Sequence, residues 1–195
     1  MSLQRQQKWV IGLTGAILSG KSTALAYFKQ AGAEVICCDE IVRQLYRCPA
    51  VLKKIKEGLG TADKQALIRL IFKDAAKRKK LEAILHPLIL KRARARMNQC
   101  SKKLVVWEVP LLFEIGWEKW TDLTICIVAD PATLPARLKG RKMSRVEYER
   151  RLKTQFAPVE KAARADIVFV HKNKTQLKKS VLHFCRAFNV LQKNT

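Results

Sequence analysis

The stretch Gly15-Ala-Ile-Leu-Ser-Gly-Lys-Ser22 fits the pattern GxxxxGK[ST], which is typical of phosphate-binding loops. It follows an apolar run, Trp9–Thr14, and precedes a helix-compatible stretch that Gly32 ends. Glycines at the two fixed positions allow consecutive backbone N–H groups to face inward, and the following helix presents its positive dipole end. The alternative is an accidental glycine-containing turn before an ordinary helix. The strand before the loop and the helix after it favour the phosphate loop.

Each part of this loop has an expected role in binding ATP. Lys21 can reach the β- and γ-phosphates, and the Ser22 hydroxyl can ligate Mg²⁺. We expect nucleotide contacts from the whole loop, which comprises Gly15, Ala16, Ile17, Leu18, Ser19, Gly20, Lys21, Ser22 and Thr23. The motif alone does not separate a kinase from a GTPase, an ATPase motor or a nucleic-acid enzyme.

The order of apolar runs predicts an α/β fold. A second run, Glu34–Cys38, follows the loop and its helix, so that strand, helix and strand form one βαβ unit. Parallel strands need such a crossover, and we therefore expect a buried parallel sheet. Further strand candidates lie at 104–107, 121–128 and 165–170. Residues 40–97 have helical periodicity, in which Pro87 should start or kink a helix.

Four charged residues outside the loop are candidates for the chemistry. Asp39 ends the second strand, where a carboxylate can accept a proton from an attacking hydroxyl or can cap the next helix. Glu108 ends the third strand and could hold Mg²⁺ or act as a cap. Arg137 and Arg141 are four residues apart, in a polar segment that either closes as a lid over transferring phosphate or forms a solvated basic helix.

The charge of the chain is unusual. Its 195 residues include 39 Lys and Arg against 16 Asp and Glu, a formal net charge of +23, which attracts polyanions. The basic residues are spread along the whole chain, and only 7% of residues are aromatic, so there is no pattern of stacking platforms. The composition therefore suits an enzyme for phosphorylated substrates and argues against a specific nucleic-acid partner.

Other features predict a cytoplasmic protein. No run approaches 18 apolar residues, so we expect no membrane span, and Met1–Lys8 is polar, without the apolar core of a signal peptide. The six cysteines form no CxxC pair and are expected to be reduced thiols.

Several segments, covering nearly the whole chain, resemble the dephospho-CoA kinase family. Ile11–Gly15 with Ser19–Thr23 is similar to the family's GLTGGIGSGKST, and Val35-Ile-Cys-Cys-Asp39 with Ile41 and Arg43 to its VIDAD-I-xx-R segment. His86-Pro-Leu-Ile89 matches the end of LExxLHPLI, and Glu108-Val-Pro-Leu-Leu-Phe-Glu114 matches EVPLLFE. The last two segments are more specific than the phosphate loop, which many enzymes share.

The resemblance implies a P-loop kinase-like three-layer fold with a parallel β-sheet core, a helical substrate-binding region and a lid. The core would comprise 1–39, 101–134 and 163–195, the helical region about 40–100 and the lid about 135–162. The implied reaction is phosphorylation of the ribose 3′-hydroxyl of dephospho-CoA by ATP with Mg²⁺, giving CoA and ADP. The alternatives are another P-loop nucleotide or nucleoside kinase, or a basic nucleic-acid-binding ATPase.

The resemblance also assigns roles. The implied catalytic residues are Asp39, as the base, with Lys21, Arg137 and Arg141; those contacting the acceptor are Asp39, Arg43, His86, Glu108, Pro110 and Leu111. The chain departs from the family at several places. Ala16 and Leu18 replace loop glycines, Cys37 replaces an aspartate, the segment between Gly60 and Leu67 is shortened around Asp63, and His171 stands near the place of an asparagine.

Overall fold

Five strands form one sheet in the computed structural model of this protein, which describes residues 8–191. The strands are β1 (Trp9–Thr14), β2 (Glu34–Cys37), β3 (Leu104–Glu108), β4 (Leu123–Ala129) and β5 (Ile167–His171), and their spatial order is β2-β3-β1-β4-β5. β1 pairs in parallel with β3 and β4, and β4 pairs in parallel with β5. The predicted α/β fold with a parallel sheet core is confirmed.

The centre of the sheet is apolar on both faces. Ile11 and Leu13 of β1 and Val105, Val106 and Trp107 of β3 have no exposed surface, as expected for parallel strands that are covered by helices. The register pairs Leu13 with Glu108 and Thr14 with Cys126 of β4. The carboxyl ends of the three strands therefore meet at one edge, where ligands bind in open α/β sheets.

The α-helices of the described chain are α1 (Lys21–Gln30), α2 (Cys38–Leu45), α3 (Pro49–Leu59), α4 (Lys64–Lys73), α5 (Ala75–Gln99), α6 (Leu134–Gly140), α7 (Arg145–Leu152), α8 (Pro158–Arg164) and α9 (Lys174–Leu191). α1 packs on α9, where the rings of Phe28 and Phe184 meet edge to face at 5.9 Å, and α8 packs on β4. Among residues 8–191, no helix has the length and apolar character to cross a membrane.

The chain divides into two compact units. A sheet unit comprises the residues up to Ile36 and from Ser101 onward, and a helical unit comprises Cys37–Cys100. In the helical unit, α2, α3 and α4 each pack on α5, whose buried residues are Leu81, Leu85, Ile89, Ala93 and Met97. The finer division into a core, a substrate-binding region and a lid at 135–162 stays a prediction, and the parts of that core at 1–7 and 192–195 lie outside the described residues.

Pro87 does not start a helix, because it lies inside α5, which is 25 residues long. Proline lacks the N–H that would bond to the carbonyl four residues earlier, at Ala83. The apolar face of α5 recurs every four residues on both sides of Pro87. Burial of that face therefore outweighs the local cost of the proline.

We expect Pro87→Ala to raise the free energy of unfolding by about 1–3 kcal/mol, because alanine restores the missing helical hydrogen bond. Urea unfolding followed by circular dichroism would measure this. Pro49→Ala is the matched control, since Pro49 occupies the first turn of α3, where the N–H has no helical partner. Equal effects of the two substitutions would contradict the prediction.

Candidate active site

The phosphate loop lies directly against β4 and β5. Gly15 and Gly20 have φ angles of 146° and 104°, in the region that favours glycine. A Cβ atom on Gly15 would overlap the carbonyl oxygen of Ile127 in β4, and one on Gly20 would overlap the ring of His171 in β5. Both glycines are therefore required by space as well as by backbone angle.

Leu18 has the backbone conformation of a glycine. Its φ is 61°, in the left-handed region, at a position where the resembling family has glycine. This conformation costs an L-amino acid about 1–2 kcal/mol. The Ser19 N–H closes the preceding turn by donating to the Ala16 carbonyl at 3.1 Å. Leu18 therefore adopts the left-handed conformation itself, at this backbone cost.

Lys21 lies over the loop at the start of α1. Its Nζ donates to the carbonyl oxygens of Gly15 at 2.9 Å and Ala16 at 3.0 Å. Gly20 is the N-cap, and the first turn of α1 reads Lys-Ser-Thr-Ala, with no acidic residue. The N-terminal N–H groups, the helix dipole and the ammonium group together form a site that suits phosphate.

Arg137 in α6 is bonded to the backbone of the loop. Its Nη1 donates to the carbonyls of Leu18 at 3.0 Å and Ser19 at 3.3 Å, its Nη2 to the carbonyl of His171 at 2.9 Å, and its Nε to the Thr133 hydroxyl at 2.7 Å. Carbonyl oxygens do not neutralise the guanidinium group. Arg137 therefore both fixes the loop and places a positive charge beside it.

Arg141 is placed differently from Arg137. α6 ends at Gly140, and Arg141 is the exposed residue that caps it. Arg141 remains joined to Arg137, whose carbonyl accepts the Arg141 N–H at 3.1 Å, and the breaks that separate α6 from α7 and α8 come after it. The structure brings Arg137 to the loop and leaves Arg141 in solvent.

His171 also belongs to this cluster, although nothing in the sequence indicated that its side chain packs against the phosphate loop. It ends β5, is 5% exposed, and has its Nδ1 3.0 Å from the Ser19 carbonyl oxygen. Burial lowers the pKa of His171, the Ser19 carbonyl raises it, and the charges of Arg137 and Lys174 lower it again. The ring is therefore neutral near pH 7. Nδ1 also lies 3.1 Å from Nη1 of Arg137, so it faces both a donor and an acceptor.

The acceptor-side candidates of the sheet unit follow β3. Glu108 is 3% exposed, and the Val109 N–H donates to the Leu13 carbonyl at 2.9 Å. The Pro110 carbonyl accepts from the Thr14 hydroxyl at 3.3 Å and from the Nζ of Lys161 at 2.6 Å. This segment is thus bonded to the last residues of β1, directly before the phosphate loop. No pattern in the sequence distinguished Lys161 from the other lysines.

The remaining candidates lie in the helical unit. Asp39 is exposed at the second position of α2, where Cys37 and not Asp39 is the N-cap, and Arg43 is exposed in the last turn. His86 is half-buried in α5, where burial lowers its pKa and the carboxylate of Glu82 raises it. α2, which carries Asp39 and Arg43, packs on α5, which carries His86. The three candidates therefore belong to one packed unit.

Comparisons with known proteins decide the family. A family model described as dephospho-CoA kinase matches residues 9–178. The chain belongs to the dephospho-CoA kinase family. A dephospho-CoA kinase from Symbiobacterium thermophilum is 39% identical over 170 residues, which cover 80% of this chain and 71% of the relative. The alternative of a nucleic-acid-binding ATPase is therefore not favoured.

Solved structures share the fold of this chain. The crystal structure of TT1252 from Thermus thermophilus has a TM-score of 0.82 and 31% identity, and covers 93% of this chain and 97% of its own. A shikimate kinase from Bacteroides thetaiotaomicron has a TM-score of 0.55 and 16% identity, with 93% and 98% covered, and shares the fold.

We expect Gly20→Ala to cost more stability than Gly32→Ala. Gly32 has a φ of 95°, but a Cβ there would meet no heavy atom of the described residues within 4 Å. Its substitution should cost only the backbone penalty of about 1–2 kcal/mol. Gly20→Ala adds the overlap with His171, about 1–3 kcal/mol more. Urea unfolding would compare the variants, and equal losses would contradict the close packing of His171 on Gly20.

Proposed function

We propose that this protein transfers the γ-phosphate of ATP to the ribose 3′-hydroxyl of dephospho-CoA, giving CoA and ADP. The observation that carries the proposal is the phosphate loop, with Lys21 held over its carbonyls at the N-terminus of α1, in a chain of the dephospho-CoA kinase family. Family membership supports the acceptor, and the loop geometry supports the donor.

Residues 15–23 bind the phosphates of ATP. The loop N–H groups and the α1 dipole stabilise the β-phosphate, and Lys21 turns from the carbonyls of Gly15 and Ala16 toward the β- and γ-phosphates. Arg137 already lies beside the loop, and the exposed Arg141 supplies a second guanidinium group as the segment 135–162 closes. Both charges stabilise the negative charge on the transferring phosphoryl group.

The donor set fits Mg²⁺ bound together with ATP. The described residues contain no cluster of three or more His, Cys, Asp or Glu side chains that could hold a metal ion. Mg²⁺ commonly keeps several waters and takes substrate phosphates as ligands, so it does not need a protein cage. Ser22, exposed in the first turn of α1, would contribute its hydroxyl. When bound, the ion neutralises phosphate charge.

The acceptor hydroxyl needs a base as well as binding contacts. Asp39 takes the proton of the attacking 3′-hydroxyl, and its exposed carboxylate in the first turn of α2 suits that task. The other acceptor contacts are Arg43, His86, Glu108, Pro110 and Leu111. His86, with its pKa lowered by burial, contributes a neutral ring. The compartment in which this reaction is expected is the cytoplasm.

Lys21→Ala should lower the rate of CoA formation by roughly a hundredfold or more, since it removes a charge that acts on the transferring phosphoryl group. Mass spectrometry of purified protein with ATP, Mg²⁺ and dephospho-CoA measures the gain of one phosphate. Lys29→Ala, in the last turn of the same helix, is the control and should retain activity. A wild-type protein that binds ATP and forms no CoA would contradict the proposed acceptor, and other nucleotides and nucleosides would then be assayed.

Asp39→Asn should lower kcat by about 10²–10⁴-fold and leave ATP affinity unchanged, because the amide cannot accept the proton. Steady-state rates and nucleotide titration would separate the two effects. Glu40→Gln removes the neighbouring exposed carboxylate of the same helical turn and should have little effect. Near-normal turnover of Asp39→Asn would remove Asp39 from the mechanism.

A further inference from the structure

Lys161 of α8 is completely buried. Its Nζ donates to the Pro110 carbonyl at 2.6 Å and to the Glu114 carboxylate at 2.7 Å, and Glu114 is itself only 12% exposed. Lysine is almost never fully buried without a partner, because the ammonium group loses its hydration. The position of this side chain is therefore set by its two oxygen partners.

These two partners connect three parts of the sheet unit. The Glu114 carboxylate also accepts the N–H of Phe156, between α7 and α8, at 2.8 Å, and the Pro110 carbonyl also accepts the hydroxyl of Thr14. Thr14 is the last residue of β1, next to the phosphate loop. Lys161 thus joins the segment after β3 to the start of that loop and to the chain that leads into α8.

The segment 109–116 is held by the burial of Val109, Leu112 and Phe113 and by directional bonds. It follows β3 as a series of turns, without strand pairing of its own. Its main-chain bond to β1 is the Val109 N–H to the Leu13 carbonyl. Beyond this point, the contacts of Pro110 and Glu114 with Lys161 provide charged, directional bonds within a buried environment, where such bonds are strong.

Stability alone does not account for this arrangement. Replacing a buried ion pair by apolar residues of similar volume is often neutral or stabilising, whereas removing one partner is costly. What apolar residues do not reproduce is the direction of the bonds. A buried lysine that bonds to a main-chain carbonyl and a carboxylate is suited to hold a turn segment in one place.

The charge of Lys161 also lies close to the base of the phosphate loop. Burial raises the pKa of the Cys126 thiol in β4 to about 11, while the ammonium groups of Lys161 and Lys21 lower it and Glu114 raises it. The Cys126 side chain therefore lies near enough to both Lys161 and Lys21 for their charges to affect its pKa. Cys126 pairs with Thr14 in the sheet. This agrees with the bonds that link Thr14 and Lys161 through the Pro110 carbonyl.

We propose that Lys161 is a positioning residue for the acceptor, which fixes Pro110 and Leu111 relative to the phosphate loop through its bonds to the Pro110 carbonyl and Glu114. The inference rests on the proposed function, in which Pro110 and Leu111 contact the acceptor. Lys161 itself is fully buried and acts through the segment 109–116.

The test uses the double variant Lys161→Met/Glu114→Gln, which removes both charges and leaves no buried ion unpaired. We expect it to remain folded, to raise the KM for dephospho-CoA by at least about tenfold, and to leave the KM for ATP unchanged. Lys161→Arg keeps the charge and the donors, and should retain part of the affinity for dephospho-CoA that the double variant loses. The control is Lys102→Met/Glu34→Gln, a half-exposed ion pair of the sheet unit with a 3.4 Å contact, which should change neither KM.

Hydrogen–deuterium exchange gives a readout that does not depend on the acceptor. Exchange across 109–116 should increase in the double variant, while exchange in α1 stays as in the wild type. An equal rise in both KM values, or unchanged KM values with a lower melting temperature, would overturn the positioning role. If the wild type forms no CoA, the proposed function fails, and unchanged exchange across 109–116 would separately reject the role of Lys161.

Discussion

The close approach of the phosphate loop to β4 and β5 is the constraint on which the other features of the nucleotide site depend. The main chain at Gly15 and Gly20 leaves no space for a Cβ atom between the loop and the Ile127 carbonyl or the His171 ring. This contact fixes the first turn of α1 against the carboxyl edge of the sheet. Lys21, whose Nζ bonds to the loop carbonyls, takes its position from the same backbone.

Main-chain carbonyls hold Lys21 and Arg137, two cationic side chains at this edge. Lys21 bonds to two loop carbonyls and Arg137 to three carbonyls of the loop and β5. Such partners satisfy the donors without cancelling the charge, so the site keeps a positive potential for phosphate. Lys161 differs, because Glu114 balances its charge. This difference agrees with a role in placing the segment after β3 rather than in binding ATP.

The hydrogen bonds around the phosphate loop stabilise the left-handed conformation of Leu18. Arg137 bonds to the carbonyls of Leu18 and Ser19, and Nδ1 of His171 lies 3.0 Å from the Ser19 carbonyl oxygen. These bonds offset the backbone cost at Leu18. Leu18 therefore holds a left-handed backbone beside carbonyls to which Arg137 of α6 bonds.

The sequence by itself determined the phosphate loop, the βαβ order and the parallel sheet, because glycine spacing and apolar runs act on neighbouring residues. The segments around His86 and Glu108 indicated the family. The tertiary structure alone decided the partners of Arg137, which lies 119 residues from Leu18 in the chain, and the burial of Lys161 against Pro110, 51 residues away. It also decided that α5 continues through Pro87. Local patterns encode backbone conformation and burial, whereas which distant carbonyl meets a given cation depends on how the elements pack.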